Sequence, residues 1–312
     1  MASMDWTPGR DLYLSLPDGR LEARCWGPAP DKAPTLVLLH EGLGCVQLWR
    51  DFPEQLTEAT GWGVFAFSRY GYGASDMRPL PWPLDYMTIE AMAVLPQVLR
   101  AAGLRTGVLL GHSDGGTIAA VHQGLVPDPR IYGAILLAPH FFVEDCSVAA
   151  STAAGAAYPG GLRDRLAKYH SHVDCAFHGW HDSWLDPGFR NWNVSDVIPK
   201  WKKPGMALQG LDDPYGTRAQ VDVIADLATI PAEVHVLADC QHAPHQEQTE
   251  QTLALVSDFL SRLRPVCPSK ICTILLVHEW NAGTASKHQA LSHREEQYRS
   301  PSKVNREKTT MS

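Results

Sequence analysis

The stretch Leu109-Leu110-Gly111-His112-Ser113-Asp114-Gly115-Gly116 sets the pattern Gly-x-Ser-x-Gly between a short apolar run, 107–110, and a helix-like segment, 117–125. A serine in that context sits on a strand-to-helix turn so sharp that its neighbours must be small. Gly111 and Gly115 supply the space. Ser113 is then the candidate nucleophile. It stands at the top of a sheet and at a helix N-terminus, where backbone N–H groups favour developing negative charge. The plainer alternative is a helix N-cap serine beside a tight glycine turn.

On both sides of this turn, strand and helix signals alternate. The segments Leu12–Leu16 and 21–26 flank Pro17-Asp18-Gly19 and predict a hairpin. Short apolar runs at Thr35–Leu39, 64–67, 107–110 and 134–138 predict strands covered on both faces, with weaker copies at 206–208 and 234–237. Helical patterns fall at 48–59, 87–102, 117–125, 220–227 and 247–262. The alternation predicts an α/β fold, a mostly parallel doubly wound sheet with helices on both faces. Residues 141–204 carry no strand signal but hold Trp180, Trp184, Trp192 and Trp201. That is too long for a plain loop, and it predicts a helical lid inserted over the carboxyl ends of the strands. The expected organisation is a core at 1–140 and 205–264, the lid at 141–204, and a tail at 265–312.

A serine hydroxyl needs a base, and the base needs an orienting carboxylate. After such a turn the order Ser, Asp, His is expected. Met206-Ala207-Leu208-Gln209-Gly210-Leu211-Asp212-Asp213-Pro214 is a strand running into a turn with two acids. Asp213 is the candidate acid and Asp212 its rival, with an Asx-turn or cap role for the other. Asp239-Cys240-Gln241-His242-Ala243-Pro244-His245 follows the last strand signal. His242, nearer the strand end, is favoured as the base over His245. The two histidines could also suggest a metal site, but no third ligand at familiar spacing completes one. No metal or cofactor is expected. The oxyanion needs two N–H donors: one from Asp114, after the nucleophile, and one from the loop His40-Glu41-Gly42-Leu43-Gly44. His40 reads as a loop-stabilising histidine. Glu41 is a substrate-binding candidate, with a solvated or loop-bracing acid as the default. Phe141, Phe142, Trp180, Trp184 and Trp192 are expected to form an apolar acyl or alcohol pocket under the lid.

Composition bounds the rest. The 312 residues are 45% hydrophobic and 20% charged, with a formal net charge of −7. That argues against a nucleic-acid binder, whose affinity rests on Lys and Arg. No run approaches the ~20 apolar residues of a membrane span, and MASMDWTPGR lacks the marks of a signal peptide. Seven scattered cysteines without a C-x-x-C pair predict reduced thiols in a cytoplasmic protein. The tail at 265–312 carries net +3 against −10 for the preceding residues, and it reads as a disordered extension around the apolar run 271–277. Oligomeric state is not readable.

Over about 1–264 these residues resemble the α/β-hydrolase superfamily. GHSDGG resembles its elbow, QGLDD its acid turn and QHAPH its histidine loop. His40–Gly44 is similar to the usual His-Gly-x-x-Gly loop, with Glu41 replacing a glycine. The Ser68–Ser75 turn resembles Arg-Gly-x-Gly-x-Ser, with Tyr70 inserted and a structural role. HEGLG, GHSDGG, GWHDSWLDPGFRNWN and QGLDDPYGT together look like a bacterial serine-esterase branch that includes cassette-borne esterases, some of which open macrolide lactones. The resemblance implies Ser113 as nucleophile, Asp213 as acid, His242 as base, and Gly42 and Asp114 as oxyanion donors. It implies hydrolysis of a small-molecule ester or lactone through an acyl-enzyme. One alternative is a carbon–carbon hydrolase of dienoic acids, which would hold its substrate's carboxylate with Arg163, Arg165 or Arg190. Another is a non-catalytic ligand-binding scaffold.

Overall fold

Eight strands make one sheet in a computed structural model that describes residues 4–263. They are β1 (Leu12–Leu16), β2 (Gly19–Trp26), β3 (Thr35–Leu39), β4 (Gly63–Phe67), β5 (Gly107–His112), β6 (Ile131–Leu137), β7 (Gly205–Gly210) and β8 (Ala232–Leu237). Their order is β1-β2-β4-β3-β5-β6-β7-β8. The hairpin β1–β2 is antiparallel and joins β4 antiparallel, whereas β4 to β8 run parallel. This is the α/β-hydrolase arrangement expected above.

The apolar runs are continuous because alternate side chains enter two different cores. Val37, Leu39 and Leu109 face one core, with Leu95, Val98 and Ile118 from helices Leu95–Ala101 and Asp114–Leu125. Leu36, Leu38, Val108 and Leu110 face the other, with Leu56, Val256 and Phe259 from helices Phe52–Thr60 and Thr249–Arg262. Each such aliphatic side chain contributes roughly 1.5–3 kcal/mol when fully buried.

Several boundaries shift for physical reasons. The helix expected from Thr117 begins at Asp114, directly after Ser113. The strand expected at 134–138 ends at Leu137, because Ala138 turns the chain with φ 47°. The helix expected at 48–59 divides into Val46–Trp49 and Phe52–Thr60, with Arg50 at φ 51° between them and Pro53 in the second helix's first turn. The 87–102 helix runs Tyr86–Ile89, Glu90–Val94 and Leu95–Ala101. Its middle turn is widened just before Pro96, which cannot donate to the preceding turn and crowds its carbonyl. A short helix, Pro244–Glu247, precedes Thr249–Arg262.

Between β6 and β7 the chain is helical. Asp145–Ala157 and Val173–Leu185 are its long helices, with Tyr158 stacked on Phe177 at 3.7 Å. Its one bridge pairs Phe142 with Asn193. No helix among the described residues is long and apolar enough to cross a membrane. The expected tail at 265–312, with Cys267, Cys272 and the run 271–277, lies outside the described residues.

Candidate active site

Strand β5 delivers Ser113 on a strained turn, φ 53° and ψ −118°, and the helix begins with the next residue. A non-glycine residue holds such a conformation only where the surroundings enforce it. Here a Cβ on Gly115 would overlap the Leu39 carbonyl oxygen, and one on Gly111 would overlap that of Gly115. Glycine is therefore required by close packing on both sides of the serine. The Ser113 amide donates to the Leu137 carbonyl at 2.8 Å, tying the turn to β6.

The candidate acid follows the end of β7. Asp213 Oδ2 lies 2.8 Å from His242 Nδ1, and Gln209 Nε2 donates to the same oxygen at 2.7 Å. The Tyr215 amide donates to Oδ1 at 2.8 Å. Burial alone would raise the carboxyl's pKa; the hydrogen bond and charge of His242, with the Tyr215 amide, outweigh it and hold the pKa below the ordinary value. Asp212 is exposed, and its amide donates to the Cys240 carbonyl. The two histidines also part. His245 packs between Trp49, Phe52 and His112, and burial pushes its pKa down to about 3. His242 faces the cavity that Ser113 also lines.

The loop after β3, 40–44, is braced from below. His40 Nδ1 donates to the Glu41 carbonyl at 2.7 Å, and its Nε2 accepts the Arg69 amide at 3.0 Å. Buried Arg69 donates to the Glu41 carbonyl at 2.9 Å and pairs with the buried Asp114 carboxylate at 3.6 Å. Tyr86 Oη donates to Asp114 at 2.6 Å, and Trp184 Nε1 donates to Tyr86 Oη at 3.2 Å. Among the described residues neither the Gly42 nor the Asp114 amide donates to another group, so both remain available at the turn. Glu41 is half-buried, lines the cavity, and lies 3.5 Å from His112 Nδ1. His112 Nε2 in turn donates to the His242 carbonyl at 2.7 Å, so Glu41 and His112 connect the loop of His40 to the loop of His242.

The cavity encloses about 110 Å³, and Trp180 and Trp184 form part of its wall. Phe141, Phe142 and Trp192 do not line it. Phe141 is fully buried with its amide on Gln220, and Phe142 bridges to Asn193. Trp192 stacks on Phe189 at 4.9 Å behind Trp184. These three form the core that supports the wall rather than its surface. In their place stand His140, Ser147, Ser151 and Tyr215, so the lining is more polar than the tryptophan content suggested. His140 had a readable signal, since it lies just past the end of β6, where parallel sheets place their ligand groups. Ser147 and Ser151 carried none beyond their i, i+4 spacing on Asp145–Ala157.

Among the described residues no arginine lines this cavity. Arg163 pairs with Asp174 and Arg190 with Asp145, both exposed, and Arg165 is exposed as well. The carboxylate clamp needed for the carbon–carbon alternative is therefore not at this site. Among the described residues His178, His181 and Asp182 cluster within 4.8 Å, but none lines the cavity.

Residues 36–255 match the sequence profile of the alpha/beta hydrolase family. The chain belongs to that family. Solved structures agree on the fold. A hydrolase from Pseudomonas aeruginosa is 22% identical with a TM-score of 0.64, covering 81% of this chain and 99% of its own. An enol-lactonase from Burkholderia xenovorans is 18% identical with a TM-score of 0.62, covering 80% and 100%. An esterase from Rhodococcus is 19% identical with a TM-score of 0.62, covering 82% and 99%. At such identities the likeness is one of fold. No curated protein matches the chain in sequence.

Proposed function

We propose that this α/β-hydrolase is a serine esterase that cleaves a carboxylic ester or lactone through an acyl-enzyme. The observation that carries the proposal is the Asp213–His242 hydrogen bond at a cavity shared with Ser113 on its strained turn. His242 takes the Ser113 proton through Nε2 as Oγ attacks the carbonyl. Asp213 holds the imidazole tautomer with Nδ1–H and stabilises its charged form. The Gly42 and Asp114 amides take the oxyanion, each donor worth roughly 3 kcal/mol. The leaving alcohol receives the proton from His242, and a water activated by the same imidazole then frees the acid.

Residues 141–204 serve as the lid, because Trp180 and Trp184 from that segment wall the cavity above Ser113. The volume of about 110 Å³ favours short acyl groups, since pockets for drug-sized ligands begin near ~300 Å³. A macrolide ring would reach Ser113 only after the lid helices moved, and it is the bulky limit of the substrate range. The five described cysteines are free thiols, which favours a reducing, cytoplasmic setting.

The test is turnover of p-nitrophenyl butyrate and of a 16-membered macrolide by wild type, Ser113→Ala and His242→Ala, with fluorophosphonate labelling beside it. Both substitutions should abolish turnover, and Ser113→Ala should abolish labelling. Unchanged turnover in either variant overturns the assignment, and failure of the wild type to label supports a binding scaffold instead.

A further inference from the structure

The cavity beside Ser113 holds polar groups that no described residue satisfies. His140 is 3% exposed, and its Nδ1 is buried without a hydrogen-bond partner among the described residues. Ser151 is 1% exposed, and its hydroxyl is likewise unpartnered. Both line the cavity. Trp180 adds a third group. Its Nε1 lies against Gly42, where a Cβ would strike it, and makes no hydrogen bond among the described residues. The contrast with Trp184, whose N–H is taken by Tyr86, is direct: one wall indole is bonded into the scaffold and the other is not.

An alkyl pocket does not need these groups. A buried donor or acceptor without a partner loses its hydration and receives nothing in exchange. Thr152, the residue after Ser151 on the same helix, donates its hydroxyl to the Val148 carbonyl at 2.8 Å, so this helix offers a mid-helix hydroxyl a backbone acceptor that Ser151 does not use. His140 is also held in place. Its carbonyl accepts the Thr117 hydroxyl at 2.6 Å, and its amide donates back to the same oxygen at 3.1 Å. The ring stands edge-on to Trp184 at 5.1 Å, and the preceding Ala138 adopts φ 47°. Burial and the neighbouring His242 push the His140 pKa down to about 3, so the ring is neutral at physiological pH. A neutral imidazole is both donor and acceptor. The serine hydroxyl has the same double capacity.

We propose that this site is built for an ester or lactone that carries a hydroxyl close to the scissile carbonyl, with His140 and Ser151 as the groups that bind that hydroxyl. Trp180 Nε1–H serves the oxygen nearest Gly42. The inference rests on the serine-esterase reading and deepens it. A site made to hydrogen-bond a hydroxyl rejects the analogue lacking it, because the site's own groups are then left unpaired.

The experiment compares kcat/KM for p-nitrophenyl 3-hydroxybutyrate against p-nitrophenyl butyrate, and for 2-hydroxyethyl butyrate against ethyl butyrate. Wild type should prefer the hydroxylated member of at least one pair by about tenfold or more, the scale of one buried hydrogen bond. His140→Leu and Ser151→Ala should each reduce that ratio several-fold. Ser113-dependent turnover with equal rates in both pairs overturns the inference and leaves the esterase intact. A preference that persists unchanged in both variants overturns the roles of His140 and Ser151. No Ser113-dependent turnover of any ester overturns the esterase reading, and this inference falls with it. The wild-type ratios need no variant to fold.

Discussion

His242 Nδ1 stands 2.8 Å from Asp213 Oδ2, while Asp212, its neighbour in sequence, is exposed to solvent. Two adjacent carboxylates therefore face opposite fates. Asp213→Asn should reduce kcat by about 10⁴-fold, the scale seen when an amide imposes the wrong histidine tautomer. Asp212→Asn should leave kcat near wild type. Steady-state kinetics on one ester distinguishes the two, and equal losses would contradict the pairing.

Close packing around Ser113 makes a second prediction. Gly115→Ala puts a methyl group onto the Leu39 carbonyl oxygen, with backbone on both sides of the clash. It should cost about 3 kcal/mol or more, at the upper end for overpacking. Gly116→Ala meets its nearest atoms at 3.2 Å, Gly111's carbonyl oxygen and Pro139's Cβ, and should cost less. Urea unfolding of the two variants checks the order.

Arg69 carries the third. It is 2% exposed and faces the buried Asp114 carboxylate. Burial raises the Asp114 pKa and Arg69 opposes that rise. Arg69→Met removes the cation and leaves the acid without it, a change that typically costs about 3–5 kcal/mol. Arg69→Met with Asp114→Asn should recover part of the loss. The double-mutant cycle, read by denaturant unfolding, reports the coupling.

The fourth concerns acid. His245 is 2% exposed, and burial lowers its pKa from 6.5 to about 3. Between those values the unfolded chain binds a proton that the folded chain refuses, so stability rises with pH in that window. The contribution is fully present above pH 6.5 and is lost as pH falls toward 3, at up to about 1.4 kcal/mol per pH unit. His245→Leu should flatten the fall in Tm between pH 6.5 and 4.5, whatever it does to Tm at pH 8. An unchanged slope would remove His245 as a source of acid sensitivity.

The sheet was readable because its strands are buried on both faces, and doubly buried strands leave unbroken apolar runs such as Thr35–Leu39. The helix starts were less readable. Gly115 and Gly116 argue against helix by propensity, yet they belong to one because a larger residue at 115 would strike Leu39. Within the site, Ser113 and the two candidate acids followed from order and context. What separates the two acids is the long-range contact of Asp213 with His242, and what separates the two histidines is the packing of Trp49 and Phe52 on His245. The cavity lining was least legible. Tryptophans in a helical segment do not disclose which of them faces inward, and here Trp192 supports Trp184 from behind.

The wall and the floor of the cavity share one chain of contacts: Trp184 to Tyr86, Tyr86 to Asp114, Asp114 to Arg69, and Arg69 to the carbonyl of Glu41. Under the proposed function, the side chains that shape selectivity and those that set rate thus share one set of contacts. A substitution that resculpts the helices for a new substrate also disturbs the residue immediately after Ser113, and evolution toward larger molecules would have to re-tune Tyr86 along with the tryptophans.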